Sequence, residues 1–360
     1  MKPVEPRYQV LDRPAPPTGR ARIGIRAFAC GARWPSPTPA PVCLWLPGRT
    51  GNLDASSAEN PTDPRRLLAE AGAVVYAMDY RTHFVDVTCE EDLAACGSWN
   101  TAALLSDVRA AVRELNARHT GRPIVLIGHS MGAKLAYLFA ASRPDPPIAG
   151  LVVLDGWLRN PPDLISDRER RAISSALDRW RAGDRVLTNQ FAAPGTPGST
   201  ATVDDPTGRR RRLRQAYLRE MLTSVGGVAG RMVGGAADAT SIGMVLRHLS
   251  DGDRVWPAVV EIEARAMATG VRDHDLPRYD EFIADVRVPL LCVIAGDRGQ
   301  DFTARARFTA GLLRHAPRTE LVLDGCGHLD LVVGCHFGRR VSQPILAWLR
   351  DLPGLAAARR

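Results

Sequence analysis

One segment carries a residue pattern with direct chemical meaning. Gly128-His129-Ser130-Met131-Gly132 follows the apolar run Ile124-Val125-Leu126-Ile127 and precedes a stretch of small and apolar residues that continues to Ala141. The run reads as a short buried strand and the stretch as a helix. A serine between two glycines on a strand–turn–helix junction is lifted out of a sheet with its hydroxyl exposed. Glycine suits both flanking positions because a Cβ there would meet the neighbouring helix or strand. The free N–H groups of the following helix favour negative charge developing nearby. Ser130 is therefore the candidate nucleophile.

A serine nucleophile needs a general base, a group that orients the base, and donors for the oxyanion. On a strand–turn–helix elbow of this kind the chain order is serine, acid, histidine. His328 fits the base, in the Gly-rich loop Leu323-Asp324-Gly325-Cys326-Gly327-His328-Leu329-Asp330 after a short strand. His315 reads as a solvated helix residue, His336 as a later competitor, His129 as a packing residue within the elbow, and His83 as a residue placed to line a pocket. Three carboxylates compete for the acid. Asp297 lies just past the strand Pro289 to Gly296 and is the first choice. Asp155 ends the strand before it, and Asp301 precedes a helix, where it equally suits an N-cap. Hydrogen-bond reach to one imidazole nitrogen decides among them. Backbone N–H groups of Met131 and of Arg49, in the loop Pro47-Gly48-Arg49-Thr50-Gly51, are the candidate oxyanion donors. The Arg49 side chain is read as solvated in preference to holding an anionic part of a substrate.

The elements that must position these residues alternate. Arg20 to Cys30 reads as a half-exposed edge strand. Val42 to Leu46, Ala73 to Met78, Ile124 to Ile127 and Leu151 to Leu154 read as buried strands. Helices fall between them at Pro61 to Ala71, Thr101 to His119 and Met131 to Ala141. Pro35, Pro37, Pro39 and Pro41 exclude a ladder strand before Val42. Such alternation gives a mostly parallel sheet covered by helices on both faces. It stops from about Trp157 to Arg287, where no clean buried strand is expected. That stretch offers helices at Arg168 to Trp180, Arg211 to Leu222 and Val259 to Met267, and the glycine pairs Gly226-Gly227 and Gly234-Gly235 as possible hinges. The alternation resumes with a strand at Val288 to Gly296, a helix at Phe302 to His315, a strand at Glu320 to Leu323 and a helix at Val341 to Leu349. The expected organisation is an N-terminal arm over residues 1–19, an α/β core over 20–156 and 288–360, and a large, mainly helical cap inserted at 157–287.

Bulk properties set limits. The 360 residues are 45% hydrophobic and 24% charged, ordinary for a soluble globular chain. The net charge is +8, yet arginines supply nearly all of it, with lysine only at Lys2 and Lys134. The dense run Arg209-Arg210-Arg211-Arg212 with Arg214 has no aromatic pattern or nucleic-acid signature beside it, so it reads as solvated surface. Seven cysteines without a C-x-x-C pair favour a reducing compartment, although Cys89 and Cys96 are spaced to bridge a loop. With no apolar leader or long apolar span, a cytoplasmic protein is expected.

Together these segments resemble the α/β-hydrolase superfamily. Leu44-Trp45-Leu46-Pro47-Gly48 resembles its oxyanion strand and loop, with Pro47 where histidine is common. Gly128-His129-Ser130-Met131-Gly132 closely matches its elbow, and Cys326-Gly327-His328-Leu329-Asp330 resembles its histidine loop. The G-H-L-D form is similar to the acid-lipase-like branch, whose members carry a large helical lid at this point. The resemblance covers about residues 20 to 156 and 288 to 350. It implies hydrolysis of a small-molecule ester through an acyl-enzyme, with no metal or organic cofactor. Thioester, lactone or amide hydrolysis and acyl transfer would use the same groups, and a binding protein that retains the fold is the non-enzymatic alternative. The departure lies after the strand at Pro289 to Gly296, where the family's common G-x-x-D spacing would place the acid at Gly299.

Overall fold

In chain order the strands are β1 (Tyr8–Arg13), β2 (Ala21–Phe28), β3 (Val42–Leu46), β4 (Val74–Asp79), β5 (Ile124–His129), β6 (Gly150–Leu154), β7 (Val186–Thr188), β8 (Val255–Pro257), β9 (Leu290–Ala295) and β10 (Arg318–Leu323). The helices are α1 (Pro64–Glu70), α2 (Glu90–Ser98), α3 (Thr101–Arg118), α4 (Met131–Ala141), α5 (Asp167–Arg181), α6 (Ala258–Thr269), α7 (Gln300–Leu312), α8 (Asp330–Val333) and α9 (Phe337–Arg350). These come from a computed structural model that describes residues 8–13, 21–28, 40–49, 51–52, 62–188, 248, 252–334 and 337–352.

Eight strands form one sheet in the order β1-β2-β4-β3-β5-β6-β9-β10. β1, β2 and β4 pair antiparallel, and every pairing from β4 to β10 is parallel. Strands β3, β5, β6 and β9 are buried along their whole length. Both faces of the parallel region are covered, which is why these strands appear in the sequence as unbroken apolar runs. Alternate residues feed two cores. Val42, Leu44, Ile124 and Leu126 pack with α3 and α4 on one face, through Leu104, Val108, Leu135 and Phe139. Cys43, Trp45, Val125 and Ile127 pack with α1 and α9 on the other, through Leu68, Val341 and Ile345.

The core follows the expected alternation, with three differences. The N-terminal segment is not simply an arm: Tyr8–Arg13 forms the sheet's edge strand, in register with β2 from Tyr8 opposite Arg26 to Arg13 opposite Ala21. The Tyr8 hydroxyl donates to Asp79 Oδ2 at 2.8 Å, two strands away. Prolines on either side hide so short a strand from a periodicity reading. Cys89 and Cys96 do not bridge a loop; both thiols are free, with Cys89 preceding α2 and Cys96 buried within it. That helix opens on Glu90, Glu91 and Asp92, a favourable charge for an N-terminus. Finally, the stretch between β6 and β9 does hold a buried strand, β8, paired antiparallel with β7. At three residues ending in Pro257, it is too short to show a period.

Helices α5 and α6 stand where the sequence places them. The Ser166–Glu169 capping box begins α5. The expected helix at Arg211 to Leu222, the glycine pairs and the Arg209–Arg214 run lie outside the described residues, as do Pro35, Pro37, Pro39 and His336. Among the described residues no helix is long and apolar enough to cross a membrane.

Candidate active site

Ser130 stands between β5 and α4 with φ 55° and ψ −112°, a left-handed conformation that a non-glycine residue adopts only under constraint. The constraint is visible on both sides. The Ser130 N–H donates to the Leu154 carbonyl on β6 at 3.1 Å, and the Ser130 carbonyl accepts from the Lys134 N–H at 3.3 Å, opening α4. A Cβ on Gly132 would collide with the Leu46 and Pro47 carbonyls. The two glycines of the motif therefore let α4 begin directly against β3 and β5. A Cβ on Gly48 would lie 3.3 Å from the Ser130 Cβ, so the loop after β3 runs beside the serine. The Met131 N–H belongs to the first turn of α4, whose amides have no acceptor within the helix.

His328 is buried in the turn that follows β10. Its loop is braced twice: the Gly327 N–H donates to Asp330 Oδ2 at 2.7 Å, and the Gly325 N–H donates to Asp297 Oδ1 at 2.9 Å. The His328 Nδ1–H donates to Asp155 Oδ2 at 2.5 Å. That tautomer leaves Nε2 with its lone pair, the form a general base requires. The structure thus brings together His328 and Asp155 and keeps Asp297 elsewhere. Asp297, the first choice from sequence, is occupied in holding the backbone of the histidine loop. Asp301 is exposed in the first turn of α7, whose N-cap is Gly299 and not an aspartate.

Asp155 comes one residue after β6. It too has a left-handed backbone, with φ 46°. Its N–H donates to the Val293 carbonyl at 2.8 Å. Its Oδ2 accepts a second hydrogen bond, at 2.6 Å, from Arg298 Nη1, which lies 3.1 Å from His328 Nδ1. Burial alone would raise the Asp155 carboxyl, but the charges and hydrogen bonds of Arg298 and His328 outweigh it and hold it well below the usual carboxylate range. For His328, burial and then the Arg298 charge disfavour the imidazolium, and Asp155 offsets this only in part, so its pKa is lowered. No motif marks Arg298 in the sequence, although it adjoins Asp297. Its guanidinium stacks 3.9 Å from the Phe302 ring centroid and 5.4 Å from that of Trp157, an apolar enclosure around the ion pair.

The other candidates separate cleanly. His129 is buried, donates from Nε2 to the His328 carbonyl at 3.0 Å and packs its ring 4.5 Å from the His328 ring. Burial pushes its pKa well down, so it stays neutral and positions the histidine loop. His83 pairs with buried Asp253, Nδ1 to Oδ1 at 3.1 Å. Asp253 also accepts from Thr82 and, at 3.4 Å, from Asn52, and so ties the loop after β3 to the segment that leads into α6. His315 is exposed in the turn after α7. The Arg49 side chain is not merely solvated: its Nη1 lies 3.7 Å from Glu261 Oε2 on α6. Asp273, His274 and Asp275 cluster at the surface, but Arg181 donates to both carboxylates.

A family profile described as Alpha/beta hydrolase family matches residues 43–335. No curated protein matches by sequence. Solved structures resemble the chain over nearly its whole length at low identity. A Sulfolobus solfataricus protein assigned as a lipase is 20% identical, with a TM-score of 0.61, covering 95% of this chain and 98% of its own. A thermostable carboxyl esterase from Bacillus coagulans, solved with glycerol, is 14% identical, with a TM-score of 0.57 and coverages of 96% and 98%. The thioesterase domain from the curacin biosynthetic pathway is 16% identical, with a TM-score of 0.53 and coverages of 96% and 99%. Identities this low speak to the fold alone, whereas the profile spans most of the chain. With the parallel sheet and the strained serine at its centre, that match places the chain in the alpha/beta hydrolase family.

Proposed function

We propose that this protein is a serine hydrolase that cleaves a small-molecule carboxylic ester through an acyl-enzyme. Ser130 is the nucleophile, His328 the general base and Asp155 the acid that orients it. The reading rests on one observation above all: the His328 Nδ1–Asp155 Oδ2 hydrogen bond of 2.5 Å, formed at the end of the strand adjacent to the Ser130 elbow. In this reading Ser130 Oγ attacks the acyl carbon as its proton passes to His328 Nε2. The N–H groups of Met131 and Arg49 hold the resulting oxyanion. The imidazolium then protonates the departing alkoxide, and water, deprotonated by the same nitrogen, releases the acid. Asp155 keeps Nδ1 protonated throughout and stabilises the imidazolium. The steps use only protein groups and water. The described part of the insertion, with α5 and α6, would act as a cap beside the C-terminal ends of the strands, which the approach of Glu261 on α6 to Arg49 supports.

A fluorophosphonate probe tests the nucleophile: wild type should label and Ser130→Ala should not. Asp155→Asn should lower kcat on p-nitrophenyl esters by about 10⁴-fold, as loss of the orienting acid does in serine proteases. Asp297→Asn keeps an amide oxygen to accept from Gly325 and should change kcat little. A collapse in Asp297→Asn with Asp155→Asn active would reverse the assignment, and an unlabelled wild type would favour a binding protein. Thioester and lactone substrates in the same panel identify the leaving-group class.

A further inference from the structure

Two buried side chains with no part in the proposed proton transfers both reach the loop after β3. Tyr80, the first residue after β4, donates its hydroxyl to the Pro47 carbonyl at 3.0 Å. A Cβ on Gly132 would meet that same carbonyl at 2.6 Å, so it lies against both the tyrosine hydroxyl and the first turn of α4. The Tyr80 ring packs edge-on against Trp256 of β8, with centroids 5.7 Å apart. Asp253, three residues before Trp256, is the second. It accepts from the Thr82 hydroxyl at 2.5 Å and from Asn52 Nδ2 at 3.4 Å, and it pairs with His83 Nδ1 at 3.1 Å. A buried carboxylate is tolerated when hydrogen-bond donors meet it in this way. Asp253 thereby joins the far end of the loop, at Asn52, to the turn after β4 and to the segment entering β8.

Between these two ties the chain turns tightly. The Gly51 N–H donates to the Gly48 carbonyl at 3.0 Å, and a Cβ on Gly51 would meet the Pro47 Cβ at 3.1 Å. The Gly48 carbonyl and the Arg49 N–H belong to one planar trans peptide and point in opposite directions. Fixing that carbonyl on Gly51 therefore fixes the line of the Arg49 N–H. The turn is close to the nucleophile, because a Cβ on Gly48 would lie 3.3 Å from both the Ser130 Cβ and His129 Nδ1. Oxyanion donors are effective because they are aimed in advance and need no reorganisation during the reaction. Whatever holds this turn therefore bears on the chemistry.

Granting Ser130 as nucleophile and the Arg49 N–H as oxyanion donor, on which this rests, we propose that Tyr80 and Asp253 are positioning residues for the oxyanion site. They hold the two ends of the Pro47–Asn52 turn, and with it the Arg49 N–H, beside the Ser130 elbow. Thr82 acts through Asp253. Asp253 and Trp256 belong to the insertion between β6 and β9, so the insertion supplies part of the frame of the reaction centre as well as bordering it.

The test uses Tyr80→Phe, which removes one hydroxyl and keeps the ring, and Thr82→Val, which withdraws a donor from Asp253 and keeps the carboxylate. Tyr76→Phe is the control, since it deletes a β4 hydroxyl that meets His119 Nε2 at 2.8 Å, at the C-terminal end of α3. Active sites are counted by the end point of fluorophosphonate labelling. Per site, kcat and KM are measured on p-nitrophenyl butyrate, and Ki for an alkyl trifluoromethyl ketone. Addition of Ser130 Oγ to that ketone forms a C–O bond, turns the carbonyl oxygen into an oxyanion and passes the serine proton to His328. Its Ki therefore reads the oxyanion site with no leaving group involved. In Tyr80→Phe, kcat per site should fall about ten- to a hundredfold, short of the roughly 10²–10³ for deleting a donor outright, with KM little changed. The Ki should rise by the same factor. Thr82→Val should move both quantities in the same direction, Thr82→Ser should restore them, and Tyr76→Phe should move neither. A merely structural role would lower the number of titrated sites and leave Ki unchanged. An unchanged Ki overturns the assignment of Tyr80 when seen in Tyr80→Phe, and that of Asp253 when seen in Thr82→Val, whatever happens to kcat. A wild type that neither labels nor binds the ketone would instead indict the serine hydrolase reading, so the two failures are distinct.

Discussion

Replacing Arg298 with methionine should move the acid limb of the kcat/KM–pH profile upward. In the wild type, protonating His328 would place a second positive charge beside the guanidinium, whose Nη1 is 3.1 Å from His328 Nδ1. Two unit charges ~4 Å apart repel by ~1 kcal/mol in water and ~4 kcal/mol at the effective dielectric of a protein surface. After burial, that repulsion is what disfavours the imidazolium. The sign follows from the roles. As the proposed base His328 would act only when neutral, and Arg298 disfavours the charged form, so the arginine should extend activity toward lower pH. Without it, Asp155 still accepts from Nδ1 and favours the imidazolium against burial and the weaker Lys134 charge, so the limb rises. The assay is kcat/KM for an uncharged p-nitrophenyl ester across the acid and neutral range. Arg298→Lys, which retains a cation, serves as the control and should keep the limb near its wild-type position. A limb that stays in place in Arg298→Met, with the fold intact by circular dichroism, or one that moves to lower pH, would refute the electrostatic account.

Two other expectations follow from the same geometry. Gly132→Ala places a methyl group against the Leu46 and Pro47 carbonyls and should cost about 1–3 kcal/mol or more in urea unfolding, with loss of fluorophosphonate labelling as the elbow shifts. Burial works against ionisation of Glu261, but the charges of Arg49, Lys134 and Arg265 prevail and bring its pKa from 4.5 down to about 2. A depressed carboxyl contributes stability that is present above its unfolded pKa and lost as pH falls through the folded one. Glu261→Gln should therefore flatten the loss of stability between those two values, measured by urea midpoints over that pH range.

Much of this architecture was legible because the parallel strands are buried on both faces. Val42–Leu46, Ile124–His129 and Leu290–Ala295 have no polar residue to maintain until their ends, so composition alone marks them. The elbow was legible for another reason: Gly128 and Gly132 are required by close backbone approach, and that requirement leaves a fixed spacing. β1, six residues between prolines, and β8, three residues ending in Pro257, are too short to display a period. The acid was ambiguous because three aspartates follow strands or precede a helix, and the sequence does not say which carboxylate faces an imidazole some 170 residues away in the chain. Arg298 carried only a weak signal, in that it adjoins Asp297.

Asp155 and Ser130 occupy the ends of neighbouring strands, and the Leu154 carbonyl accepts the serine's own N–H. Ser130 and Asp155 are thereby spaced by a rung of the sheet ladder, between strands buried along their whole length, and not by loops free to drift. In the proposed triad two members are fixed and one is adjustable, the histidine, which arrives on a turn braced by Asp297, Asp330 and His129. Tuning such a site, by selection or by design, would act most readily on those braces. They can shift the imidazole without disturbing Ser130 or Asp155 on either side of it.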